Sequence, residues 1–126
     1  ADDSGLEVTA LDRAPGVYSA RFAGPDAADE ANNALLLDKL RGSTDRTGQF
    51  VCVIALARSG KLIQAFRGEV RGEIAREPRG SNGFGYDPLF FYPPFGCTFG
   101  EASLDRKMAV SHRAKALEAM FRFLNP

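Results

Sequence analysis

Phe50-Val51-Cys52-Val53-Ile54-Ala55-Leu56-Ala57, then Arg58-Ser59-Gly60-Lys61, then Leu62-Ile63-Gln64-Ala65-Phe66-Arg67-Gly68-Glu69-Val70-Arg71-Gly72-Glu73-Ile74. The first eight residues are apolar throughout, the pattern of a strand covered on both faces. The next four read as a turn. The last thirteen alternate, with Leu62, Gln64, Phe66, Gly68, Val70, Gly72 and Ile74 on one side. Arg67, Glu69, Arg71 and Glu73 fall on the other side, where opposite charges can pair along a sheet surface. Long alternating strands of this kind are usually antiparallel partners.

Working outward, Asp26 to Arg41 reads as a helix. Pro25 precedes it, Asp26 is placed to cap it, and Asp29 and Glu30 suit the positive end of its dipole. Ala28, Ala31, Leu35, Leu36 and Leu40 form the expected inward side, and Gly42 the stop. Thr98-Phe99-Gly100-Glu101 matches a capping box, predicting a short helix from there. A last helix opens at Ser111, with Ala114, Leu117, Phe121 and Leu124 at helical spacing. The fold class is therefore α/β: a single domain, residues 1–126, with a mixed sheet flanked by helices.

Composition narrows the chemistry. With 126 residues, 44% of them hydrophobic, the chain is long enough for one core. Sixteen basic and sixteen acidic residues cancel, which argues against a nucleic-acid polymer as partner, since that needs a clustered basic excess. The longest apolar run is far too short to span a membrane. The two cysteines are far apart and form no CxxC pattern; Cys52, inside the apolar run, reads as a buried small hydrophobe, and this usage points to a reducing, cytoplasmic setting. One histidine and no cysteine cluster make a zinc site improbable on this chain. Neither a G-x-S-x-G elbow nor a G-x-x-x-x-G-K-[ST] loop occurs.

Three stretches carry candidate chemistry. Asp2-Asp3-Ser4-Gly5 sets two carboxylates and a hydroxyl beside a glycine, oxygen ligands that suit Mg²⁺ together with substrate phosphates. Gly83-Phe84-Gly85-Tyr86-Asp87-Pro88 offers an aromatic face for a base, where stacking is worth about 1–3 kcal/mol, and a carboxylate for a ring N–H. Lys107, His112 and Arg113 gather donors near a helix N-terminus. Donors there favour a 6-keto purine and oppose adenine, whose 6-amino group is itself a donor. Each stretch also has an ordinary reading: an acidic end, a tight turn into a strand, a solvated helix face.

Taken in order, Ala1-Asp2-Asp3-Ser4-Gly5-Leu6-Glu7-Val8, Ala14-Pro15-Gly16-Val17-Tyr18-Ser19-Ala20-Arg21-Phe22-Ala23-Gly24, Asn32-Asn33, Phe50 to Val53, Gly83 to Pro88, Lys107 and Ser111-His112-Arg113 resemble the inosine triphosphate pyrophosphatase family. The resemblance implies an elongated α/β homodimer that hydrolyses non-canonical purine nucleoside triphosphates (ITP, dITP, XTP) to monophosphate and pyrophosphate with Mg²⁺. It assigns Asp3 as proton acceptor and metal ligand, with Asp2 beside it. It assigns Ser4, Phe84, Gly85, Tyr86, Asp87, Lys107, His112 and Arg113 to substrate. Family members also carry an N-terminal S/T-x-N-x-x-K phosphate loop and a metal-binding glutamate, and neither is found in these 126 residues. The chain starts with Ala, as a processed, trimmed or partial product would. The expectation is thus the C-terminal two-thirds of the family fold, with an exposed sheet edge that a second copy would cover. Such a chain is expected either to turn over slowly or to act as an inactive nucleotide-binding or dimerisation module, because phosphoryl chemistry depends on neutralising phosphate charge.

Overall fold

A computed structural model describes residues 2–126; Ala1, the first residue of the family-like opening run, lies outside the described residues. The quoted stretch forms the hairpin it predicts. Strand β1 (Asp2–Val8) pairs with β2 (Thr47–Arg58), and β2 with β3 (Lys61–Ile74). The turn residues Ser59 and Gly60 both have positive φ, 52° and 75°, the geometry a two-residue hairpin needs. Two short strands, β4 (Phe90–Tyr92) and β5 (Cys97–Thr98), complete a five-stranded sheet in the order β1-β2-β3-β4-β5.

Every pairing among the described strands is antiparallel. The helix-flanked sheet is as expected, but in these residues it is not mixed. The reason is connectivity: β2 and β3 join through a tight hairpin, and no helix crosses from one strand to a parallel neighbour beside it. The outer side of β1 is occupied from Leu6 onward by the chain itself. Leu6 N–H donates to Ser19 Oγ (2.9 Å) and Val8 N–H to Ala14 O (3.1 Å). The exposed edge expected there is therefore partly covered.

Period-two alternation sorts the sheet. On the inward face of β3, Phe66, Gly68, Val70, Gly72 and Ile74 are buried, whereas Leu62 and Gln64 stand exposed near the hairpin end. Phe50, Phe90 and Phe99 meet at the centre, with Phe50–Phe90 centroids 4.4 Å apart and Phe90–Phe99 5.1 Å apart. On the outward face Arg67 and Arg71 flank Glu69 at 3.3 and 3.7 Å. Pairs this exposed contribute little to stability.

Three helices accompany this sheet, and the starts of the first two differ from the sequence reading. Helix α1 spans Asp29–Lys39, not Asp26–Arg41, because Asp26 is taken by a turn in which Ala27 N–H donates to Gly24 O. Its buried side is Asn32, Asn33, Leu36 and Leu40. Thr98 and Glu101 do form the reciprocal bonds of a capping box, at 3.0 and 3.2 Å, but around a single turn. Helix α2 begins later, at Leu104–Val110, capped by Ser103. Helix α3 (His112–Leu124) is capped by Ser111 as expected. Its packed side runs through His112, Ala116, the predicted Leu117 and Met120, while Phe121, Phe123 and Leu124 are exposed, although the Phe123 ring still meets that of Phe66.

Gly68 explains how α3 comes so near. A Cβ at this position would collide with the His112 carbonyl oxygen and lie 2.5 Å from Ala116 N and 2.9 Å from Lys115 Cβ. Two of these three obstacles are backbone, which cannot swing aside. Gly68→Ala is expected to cost about 1–3 kcal/mol of stability by overpacking. Urea unfolding of this variant checks it; an unchanged midpoint would show that α3 has room to retreat.

Candidate active site

Apart from Asp2 and Arg113, the residues singled out from sequence divide between two neighbouring clefts. Ser4, Gly5, Asp29, Phe84, Gly85, Tyr86, Asp87, Lys107 and His112 line the first, together with Ser19, Ala20, Asn32 and Phe50; its volume is about 200 Å³. Asp3 lines the second, of about 200 Å³, with Ser4, Gly5, Gly16, Val17 and Val51 among its walls. Ser4 and Gly5 belong to both.

This division follows from the pleat of β1. Asp3 and Gly5 pair with Val53 and Val51, so they share one face, while Asp2, Ser4 and Leu6 share the other with Ile54, Cys52 and Phe50. Asp2 and Asp3 therefore do not converge. The Asp2 carboxylate is instead engaged by Arg113 Nε at 3.1 Å and by the Cys52 thiol, which donates at 3.3 Å. Burial pushes the Cys52 thiol up from its ordinary value, and both cysteines are free. Arg113 is half-exposed, pairs with Asp2 and does not line the base-side cleft. Among the described residues no cluster of three His, Cys, Asp or Glu side chains is placed to hold a metal.

The loop from Gly83 to Pro88 is fixed from several sides. Asp87 is buried, and its Oδ2 accepts from Phe84 N–H (3.0 Å) and from Lys107 Nζ (2.5 Å). Lys107 is equally buried and also lies 4.5 Å from the centroid of the Phe84 ring. Phe84 itself is 72% exposed, an aromatic face held open by its neighbours. The next aromatic side chain turns inward: Tyr86 donates its hydroxyl to Ser19 O at 2.6 Å. Burial, with the Asp29 charge adding to it, raises the Tyr86 hydroxyl to about 12, so it stays a donor.

Helix α1 reaches the same loop. Gly85 N–H donates to Asp29 Oδ2 (2.8 Å), and Asn33 Nδ2 donates to Gly85 O (3.2 Å). Asn32 fastens the preceding segment by accepting from Ala23 N–H and donating to Ala20 O. Sequence reasoning noted the Asn pair only as family-like and read Asp29 only as a dipole residue. The available signal was two amides on a helix side otherwise completed by Leu36 and Leu40, since buried polar groups demand partners.

His112 stacks on Phe50, with centroids 5.1 Å apart and planes 17° apart. Burial first, then Lys107 and Arg113, lower its pKa to about 4, so the imidazole is neutral at pH 7. It therefore offers one donor and one acceptor, not the pair of donors of a cation. Its Nδ1 is buried without a partner among the described residues.

Two outcomes follow. Lys107→Met strands the Asp87 carboxylate in a dry site, and calorimetric unfolding should show a loss of about 3–5 kcal/mol, largely recovered in the Asp87→Asn/Lys107→Met double variant. For His112, the folded pKa of about 4 lies below the ordinary 6.5. The unfolded chain thus binds more protons between these values, and stability falls as pH drops from 6.5 toward 4. Melting temperatures of His112→Phe across that window should fall less steeply than those of the parent.

Residues 1–123 match the model of the Ham1 family. A dITP/XTP pyrophosphatase of an Exiguobacterium species is 58% identical over 120 residues, covering 95% of this chain and 61% of that protein. The enzyme of the same name from Syntrophobacter fumaroxidans is 56% identical over 117 residues, covering 93% of this chain and 50% of that one. The Ham1 protein of Staphylococcus aureus superposes with a TM-score of 0.93 at 48% identity, over 98% of this chain and 64% of that chain. The chain thus spans about half to two-thirds of the length of the relatives it matches. With its sequence matched nearly end to end and its fold shared with solved Ham1 structures, the chain belongs to the Ham1 family.

Proposed function

We propose that the chain carries the base-reading half, and one acting carboxylate, of a non-canonical purine nucleoside triphosphate pyrophosphatase acting on ITP, dITP or XTP. The observation that supports this most directly is the junction at Ser4–Gly5, which walls both the base-side cleft and the cleft of Asp3. A base stacked against Phe84 and facing Lys107 and His112 then leaves its phosphates running past Ser4 toward Asp3. Lys107 Nζ spends one of its three donors on Asp87, which leaves donors for a 6-keto oxygen. Adenine presents an amino donor to the same groups and is disfavoured.

In this reading Asp3 accepts the proton of the attacking water. The new P–O bond forms as the α–β phosphoanhydride breaks, and pyrophosphate leaves. Although Glu7 also lines this cleft, its carboxylate is engaged by Gln49 Nε2 at 2.8 Å and by Arg67, whereas Asp3 stands exposed there. It fits the modest share of ligands a protein gives Mg²⁺, the remainder coming from phosphate oxygens and water. Bound there, Mg²⁺ would neutralise charge on the phosphates. Asp2, tied to Arg113 on the opposite face of the strand, serves to place α3 rather than the ion. A homodimer is the assembly proposed, with exposed Phe121 and Leu124 on the outer side of α3 as apolar surface available to it. As for compartment, no helix among the described residues is long and apolar enough to cross a membrane.

The test is pyrophosphate release from ITP, XTP and ATP with Mg²⁺, with light scattering of the same sample. ITP and XTP should be cleaved, ATP about a hundredfold more slowly or less. Asp3→Asn should lower turnover by about 10²–10⁴, the usual contribution of a general base. No release from any of the three, with IMP still bound, replaces the enzyme with a nucleotide-binding module; a monomer in solution removes the dimer.

A further inference from the structure

Resting on that reading of the base-side cleft, we propose that Asp29 and Asn33 are positioning residues that clasp the base-reading loop through both halves of one residue's backbone. Gly85 donates its N–H to Asp29 Oδ2 at 2.8 Å and accepts at its carbonyl from Asn33 Nδ2 at 3.2 Å. The two side chains stand four residues apart, one turn of α1, and so share a face. Gly85 lies between the two aromatic residues of the loop and has φ of 61°, a left-handed conformation that few other residues adopt. Pinning its peptide groups on either side sets the directions in which the chain leaves toward Phe84 and toward Tyr86. One ring then turns inward to Ser19, and the other stands open over Lys107.

Residues 75–86 contain no helix or strand, and the other bonds of the loop hold its neighbours. Asp87 N–H closes a turn onto Phe84 O, Asp87 Oδ2 takes Phe84 N–H and Lys107, and Asn82 is tied to Gly100 and Ala102. The Gly85 N–H and carbonyl themselves are held by Asp29 and Asn33. Asn33 is buried, and its Oδ1 finds no partner among the described residues. A buried amide with one end unsatisfied is poor economy for the core, so the bond at its other end is what accounts for its place. Asp29, by contrast, is exposed beside the cleft, and its bond to Gly85 is the one water can compete for. Loss of the clasp should therefore lower the fraction of molecules with the aromatic platform in place. A ligand that binds only those molecules sees its apparent affinity fall by that fraction, while the bound complex reacts at its former rate.

The experiment compares the parent chain with Asp29→Ala and Asp29→Asn. Amide hydrogen exchange across residues 80–88 is read without nucleotide, and KM and kcat are read for ITP. In Asp29→Ala, exchange at Gly85 should quicken about tenfold, as local opening becomes easier. KM should rise by about the same factor with kcat within about twofold. Asp29→Asn keeps an acceptor oxygen at the same place and should restore both, which separates the hydrogen bond from the charge. Unchanged exchange at Gly85 in Asp29→Ala overturns the clasp; so does a fall in kcat at constant KM, or failure of Asn to restore. If the parent cleaves neither ITP nor XTP, the enzymatic reading fails by itself, and the exchange of Gly85 still decides the clasp.

Discussion

An ion pair between Lys107 and Asp87, 2.5 Å apart with both side chains almost fully out of water, is the contact on which the base-side cleft depends. Removing two charges from water is expensive, and their attraction compensates only when the geometry is close and the remaining polar atoms are occupied. Here the same Asp87 oxygen takes the Phe84 N–H, and the lysine lies over the Phe84 ring. One carboxylate thereby ties the loop after β3 to helix α2 and turns an aromatic residue outward. Gly83 belongs to the same arrangement, since a side chain there would run into Asp87 Oδ2. A pair of this kind is a costly way to gain stability but an effective way to specify one loop conformation.

The second constraint is steric and lies on β3. Gly68 lets the first turn of α3 rest directly on the sheet, which brings His112 over Phe50. Phe50 belongs to the aromatic core through Phe90 and Phe99, so the floor of the cleft is continuous with that close-packed core. His112 is kept neutral by that same burial. Recognition in the cleft thus rests on a rigid base and on neutral or paired groups, which agrees with a chain of zero formal charge.

Much of this was legible in the residues. The hairpin of β2 and β3, the Ser111 cap and the grouping of Ser4, Phe84, Asp87, Lys107 and His112 all follow from local patterns or from family resemblance. Helix starts were less legible. Asp26 and Thr98 both have capping chemistry, but a turn and a capping box without a following helix satisfy the same hydrogen bonds. The packed side of α3 keeps Leu117 of the predicted stripe but centres on Ala116, because glycine at position 68 admits the helix backbone, not a large side chain, against the sheet.

By itself, the sequence determined what each segment prefers: alternation that makes β3 two-faced, glycines where backbones must approach, and the residue types that purine chemistry requires. Only the tertiary structure decided which of those residues meet. Adjacent carboxylates Asp2 and Asp3 read as a pair in one dimension, yet the pleat sends them to opposite faces, one to Arg113 and one to the cleft beside Ser4. Conversely, Asp29 and Gly85 are far apart in the chain and carry no shared local signal, yet they form one hydrogen bond. Local preference acts over a few residues along the backbone, whereas the partner of a side chain is set by which surfaces the whole core brings together.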